Sequence, residues 1–179
     1  MKRLTAINSI NDIHPKYRNT PVEKLLASHN LDMDHDPEDK ADMLIALCMD
    51  NRKKLRIPEN FAYILRTGGV NLRNNEFKIS YTIGVGGISA IALIAHNNCG
   101  MVNLKSKKEI FVNGLVEKAG WDRKSAEEHF DQYSPRFEIG NEIDFVLSET
   151  ERLRQRYPKI LIAPLFYKLE DNLLYLIEE

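Results

Sequence analysis

Two short stretches of this chain carry residue types that hold metal ions. The first is Cys48-Met49-Asp50-Asn51-Arg52 and the second is His96-Asn97-Asn98-Cys99-Gly100. Together they contain both cysteines of the protein. Thiolate and imidazole in one site suit zinc, which accepts sulfur and nitrogen ligands in a tetrahedron. The spacing His96-x-x-Cys99 lets one loop supply two ligands, and Cys48 offers a third. Asp50 is close enough in sequence to swing into the fourth position. Arg52 is close enough to pair with Asp50 and draw it away, through two parallel hydrogen bonds that would define the geometry. Spacing alone leaves a second reading open, in which Cys48 and Cys99 are two buried core residues.

Each stretch directly follows an apolar run, and those runs must position the chemistry. Residues 43–47 lead into Cys48 and residues 88–95 into His96, and both runs read as strands of a parallel sheet covered on its two faces. Residues 61–65 and 159–166 read as further strands. Asp171-Asn172 turns the chain into residues 173–177, an antiparallel edge strand. Helices fill the intervals. Thr20-Pro21-Val22-Glu23 combines an N-cap, a proline at the first helical position and a capping acid, for a helix that should end near residue 30. Asn74 or Asn75 caps a second helix that Gly86-Gly87 ends. Ser106 caps a third that stops at Gly120, Asp122 a short fourth, and Asn141 a fifth that ends before Pro158.

The predicted architecture is α/β, with a mostly parallel central sheet of four parallel strands plus an antiparallel edge strand, flanked by helices. Residues 1–30 read as an N-terminal arm and helix, with 1–19 irregular, and residues 31–179 as a single domain. In open sheets of this kind functional groups gather at the carboxyl ends of the strands, where Cys48 and His96 fall.

Other motifs fail on inspection. Asp32-x-Asp34-x-Asp36 opens like a calcium loop, but its sixth position is Pro37 and its twelfth is Met43. Gly84, Gly86 and Gly87 lead to Ser89 where a dinucleotide fingerprint needs a glycine, so no organic cofactor is expected. A formal net charge of -1 gives no electrostatic reason to expect nucleic acid or an anionic membrane as partner. No segment approaches the roughly 20 apolar residues of a membrane span, and the N-terminus lacks the apolar core of a secretory signal. The expected setting is the cytoplasm, where two cysteines are free or bind metal. His14, His29, His35 and His129 read as solvated or packed, Trp121 and Tyr133 as packing residues, and Arg66 as one half of a salt bridge.

The two stretches also carry a family likeness. Cys48-Met49-Asp50-Asn51-Arg52 resembles the Cys-x-Asp-Ser-Arg signature of the β-class carbonic anhydrases, and His96-Asn97-Asn98-Cys99-Gly100-Met101 resembles their His-x-x-Cys-Gly-Gly/Met. Ile64-Leu65-Arg66-Thr67-Gly68-Gly69 is similar to their Ile-Arg-Asn-Ala-Gly segment. Ser80-Tyr81-Thr82-Ile83 stands where they have a Ser-x-x-Tyr-Ala helix, and residues 160–173 are similar to their last strand and hairpin. The likeness covers residues 20–179, at the short length of the compact prokaryotic members. It implies zinc held by Cys48, His96 and Cys99, with Asp50 and Arg52 as catalytic dyad and Asp50 as alternative fourth ligand. It implies hydration of carbon dioxide to bicarbonate by zinc-bound hydroxide, and a homodimer or higher homo-oligomer whose residues 1–30 embrace the partner. Asn51, Asn97-Asn98 and Thr67-Gly68-Gly69 depart from the family pattern, around the pocket rather than in the zinc set. Two alternatives therefore stand beside the anhydrase: a hydrolase of carbonyl sulfide or carbon disulfide on the same scaffold, and a non-catalytic zinc-binding protein that keeps Asp50 on the metal.

Overall fold

Six strands form one sheet in the computed structural model, which describes residues 3–179. In chain order they are β1 (Leu4–Ala6), β2 (Met43–Cys48), β3 (Ala62–Thr67), β4 (Ala90–His96), β5 (Leu161–Lys168) and β6 (Leu173–Ile177). Across the sheet the order is β1-β6-β5-β4-β2-β3. The pairs β3–β2, β2–β4 and β4–β5 are parallel, and β5–β6 and β6–β1 are antiparallel. The four parallel strands and the final antiparallel strand are those expected.

One further strand was not. Leu4, Thr5 and Ala6 pair with Ile177, Leu176 and Tyr175, so β6 is not the edge of the sheet, and residues 1–19 are not wholly irregular. Three residues are too few for an alternating pattern to register, and their partner lies at the other end of the chain. Ile7, Ile13 and Tyr17 follow β1 into the core.

Every residue of β2 and β4 is buried, as a sheet covered on both faces requires. On one face Ile45, Leu47, Ala92, Ile94 and Leu165 pack with Val22, Leu25 and Leu26 of α1 (Pro21–Leu31). On the other, Leu44, Ala46, Cys48, Leu93 and Ala95 pack with Ile79 of α2 (Glu76–Gly84) and Val146 and Leu153 of α5 (Glu142–Arg156). The caps hold as read at both ends. Thr20 Oγ1 accepts the Val22 amide, and Asn141 Oδ1 accepts the Ile143 and Asp144 amides.

Three helices differ from expectation. Asn75 stands at the start of α2, but its side chain makes no capping hydrogen bond. Ser106 does not cap, because its hydroxyl donates to the Asn103 carbonyl inside a 3-10 turn, and α3 (Lys108–Ala119) starts after that turn. The helix after Asp122 is not short: α4 (Arg123–Phe137) has 15 residues. Only Ala126 and Phe130 of α4 are buried, and the helix is polar over most of its length with Pro135 in its last turn, so few apolar positions mark its extent in sequence.

His29 joins three parts of this frame. Its Nδ1 accepts the Arg56 amide at 3.0 Å, and its Nε2–H donates to the Asn172 carbonyl at 3.0 Å. The ring is 1% exposed, and burial pushes its pKa down from 6.5 to about 4. The fold therefore holds the neutral form: the stabilisation is complete above the ordinary value and is lost as pH falls toward the lowered one. Chemical denaturation should show a loss of about 2–3 kcal/mol from this group between about pH 7 and about pH 4.5. In His29→Gln that part of the pH dependence should be missing.

Candidate metal centre

Because β2 and β4 are adjacent and parallel, their carboxyl ends bring Cys48 and His96 side by side. The chain then turns through Asn98, in the left-handed region at φ 54, and returns Cys99 to the same place. The ligand atoms of Cys48, His96 and Cys99 all lie within 4.8 Å of one another, and all three residues are buried. The two sulfurs are 3.9 Å apart, far beyond the roughly 2.05 Å of a disulfide, and both thiols are free.

The chemistry of this donor set fits a metal ion. His96 Nδ1 lies 2.8 Å from the Asn97 carbonyl, which can only accept, so Nδ1 carries the proton and Nε2 keeps a lone pair. That Nε2 is buried and has no hydrogen-bond partner among the described residues. A buried polar atom without a partner is costly, and a cation bound between it and two thiolates would satisfy it. Cys99 donates a hydrogen bond to Cys48 and so holds the Cys48 thiol well below its ordinary pKa, with help from the Asp50 and Gly69 amides. Its role as donor, and its burial, push Cys99 up. The pair therefore takes its first negative charge easily, and a cation would favour the second.

Asp50 and Arg52 stand beside this cluster as the expected ion pair. Arg52 Nε lies 3.0 Å from each Asp50 carboxylate oxygen, Nη2 lies 2.6 Å from Oδ2, and the Arg52 amide donates to Oδ1 at 3.0 Å. The Arg52 guanidinium keeps the Asp50 carboxyl well below the usual carboxylate range. Nη2 also donates to the Asn98 carbonyl at 3.0 Å, tying the pair to the loop that carries Cys99. Asp50, expected as an alternative fourth ligand, is held here by Arg52 and lies outside the cluster of three donors.

Three supporting contacts escaped the sequence reading. Arg66 makes no salt bridge among the described residues: it donates to the carbonyls of Cys48 at 3.2 Å, Asp50 at 3.3 Å and Lys53 at 3.5 Å. Lys53, in the basic run Arg52-Lys53-Lys54-Leu55-Arg56, is 2% exposed, and its Nζ donates to the Asp50 carbonyl at 3.0 Å. Burial lowers the Lys53 pKa, and the negative charges of Cys48 and Asp50 oppose that. Asn97 accepts the Leu169 amide at 2.9 Å and donates to Glu170, so the ligand loop is fastened to the β5–β6 turn. The Asn-Asn pair that departs from the family pattern was the available signal for that contact.

An open cleft above the cluster is lined by Cys48, Asp50, Arg52, Met49 and Met101. The two methionines also border a cavity of about 270 Å³ between α3 and α4, walled by Leu104, Phe111, Phe130 and Phe137. Tyr133 and Trp121 pack around His129, with ring centroids 4.7 and 5.2 Å away, as expected of packing residues. No helix among the described residues is long and apolar enough to cross a membrane. Asn97→Ala keeps the carbonyl that His96 Nδ1 meets but unfastens the ligand loop from the β5–β6 turn, so it should weaken binding of a divalent metal ion by up to about tenfold, measured by competition with a chromophoric chelator.

No family model and no curated protein matches the sequence. Solved structures do. The chain is similar to the β-carbonic anhydrase isoform I of the protozoan Trichomonas vaginalis, with a TM-score of 0.63 and 15% identity over 83% of this chain and 90% of that one. It is similar to a carbonic anhydrase of Streptococcus mutans, with a TM-score of 0.60 and 18% identity over 82% and 87% of the two chains. A carbon disulfide hydrolase is similar at a TM-score of 0.55 and 19% identity, over 77% of this chain and 78% of its own. With its mostly parallel six-stranded sheet and flanking helices, this chain has the fold of the β-carbonic anhydrases.

Proposed function

We propose that this protein is a zinc enzyme that reversibly hydrates carbon dioxide to bicarbonate. The observation that carries the reading is the buried trio Cys48, His96 and Cys99, with donor atoms within 4.8 Å, directly beside a carboxylate gripped by Arg52. Two thiolates and an imidazole would hold the ion and leave one position of a zinc tetrahedron open. Bound there, zinc supplies hydroxide near neutral pH by lowering the pKa of a water to about 7.

The rest of the work falls to the chain. Asp50 is ionised and can only accept, so it takes a hydrogen bond from the attacking oxygen and aims its remaining lone pairs at carbon. Arg52 engages both oxygens of Asp50 and so keeps the carboxylate from the open ligand position. Released from Arg52, Asp50 would be within reach of serving as a further ligand, as the alternative to water. Carbon dioxide gains the oxygen, bicarbonate leaves through the open cleft, and the released proton passes to buffer.

The apolar cavity favours a second reading, hydrolysis of carbonyl sulfide or carbon disulfide, whose reacting centre is also a linear, electrophilic carbon. Walls of Phe, Leu and Met suit the more polarizable, less hydrated sulfur compounds. The assembly we propose is a homodimer. Among the described residues β3 is a free sheet edge with Tyr63 40% and Ile64 47% exposed, next to Tyr81 of α2 and Val85 just past its end at 52% and 69%. An apolar edge of that kind is a template for pairing with a second chain. The arm and α1 (residues 1–30), expected to embrace the partner, spend Val22, Leu25 and Leu26 on this chain's own core, which leaves the β3 edge as the larger free surface. Two free buried thiols suit a reducing compartment, and we place the protein in the cytoplasm.

Stopped-flow assays on protein with one zinc per chain should show carbon dioxide hydration that rises from about pH 6.5 to about pH 9. Full zinc with no hydration but with sulfide release from carbon disulfide would select the second reading, and neither activity would refute both. Asp50→Ala and Arg52→Ala should keep zinc and lose on the order of 100-fold in kcat/KM; normal turnover in either variant would remove that residue from its role.

A further inference from the structure

Lys53 is the single buried lysine among the described residues. Lysines are almost never fully buried unless something pairs with them, because desolvating an ammonium is expensive. Its Nζ meets two atoms of one residue: the Asp50 carbonyl oxygen at 3.0 Å and the Asp50 carboxylate Oδ1 at 3.9 Å. Arg66 reaches the same carbonyl from the other side at 3.3 Å. Arg52, by contrast, is an exposed partner, with half of its side chain open to solvent. An ion pair on the surface is screened and dynamic, whereas a desolvated cation at fixed distance is not.

We propose that Lys53 is a positioning residue for Asp50, a buried cation that pins the turn after β2 and biases the carboxylate away from Cys48, His96 and Cys99. This rests on the metal reading given above. Lys53 touches no substrate: its bond to the carbonyl fixes the Asp50 backbone, and its charge adds to the pull of Arg52 on Oδ1. The geometry makes the exposed Arg52 the partner that can exchange and Lys53 the one that stays.

Cobalt(II) is the probe, since its visible absorption bands report on the ligands of a tetrahedral site. Lys53→Met should still load one cobalt per chain, with bands shifted from those of the parent protein because Asp50 now reaches the metal. The shift should vanish when Asp50→Ala is added, so that the double variant matches Asp50→Ala alone. Identical bands in Lys53→Met and the parent would overturn the proposal. A shift that survives in the Asp50→Ala background would overturn it equally, because Lys53 would then act on the ligands directly. Lys53→Gln, which keeps a donor but loses the charge, replaces Lys53→Met should that variant not fold. In metal-free protein, amide exchange across residues 49–52 should rise roughly tenfold in Lys53→Met while the rest of β2 is unchanged. A parent protein that loads no cobalt would fail the metal reading instead, and the exchange measurement would then decide the positioning role by itself.

Discussion

The parallel pairing of β2 with β4 decides where every donor atom of the site stands. Met43 through Leu47 lie opposite Ala90 through Ile94, so both strands deliver their last residues at one level of the sheet. Side chains alternate with period two, and a slip of one residue would carry Cys48 from the α2/α5 face to the α1 face. The apolar runs on the two sides of the sheet forbid that slip, because it would exchange the contents of both cores. The cluster of Cys48, His96 and Cys99 is thus a consequence of core packing: the strands are held in register by burial, and the three donors are placed at their ends.

Around those ends, positive charge is concentrated on a single turn. Arg52 grips the carboxylate of Asp50, while Lys53 and Arg66 share its carbonyl oxygen and Arg66 also reaches the Cys48 carbonyl. Cations beside a pair of thiols favour the thiolates, and in a partly buried site such attractions are several times larger than in water. They also satisfy the carbonyls left unpaired where β2 ends, which would otherwise be buried donor-seeking groups. One set of side chains serves both the fold and the electrostatics of the site.

The loop after β3 carries a local cost for the same end. Gly69 and Val70 are both left-handed, at φ 63 and 62, and Val70 is β-branched and 1% exposed. A conformation of this kind costs about 1–2 kcal/mol for a residue with a Cβ. It lets the Gly69 amide point at Cys48 Sγ, 3.4 Å away, and a Cβ on Gly69 would stand 2.8 Å from Ile139. The burial of Val70 and the close packing of Met101 against Gly68 hold the turn in that shape.

The sequence by itself determined which runs become the parallel strands and which residues at their ends could serve as donors. Continuous apolar runs marked β2 and β4 because a strand buried on both faces has no polar positions, and Cys48, His96 and Cys99 stood directly beyond them. Asn141 and Thr20 announced helix starts because capping is a local hydrogen bond. Tertiary structure decided whatever depends on partners distant in the chain. β1 exists only because β6 passes beside it. Arg66 donates to carbonyls rather than to an acid because the turn after β2 ends within its reach. Lys53, one of several cations in a polar run, is buried because the sheet and its loops close over it. Local propensity is written in neighbouring residues, whereas desolvation and hydrogen-bond satisfaction are properties of the closed fold, and the residues that support the site belong to the second kind.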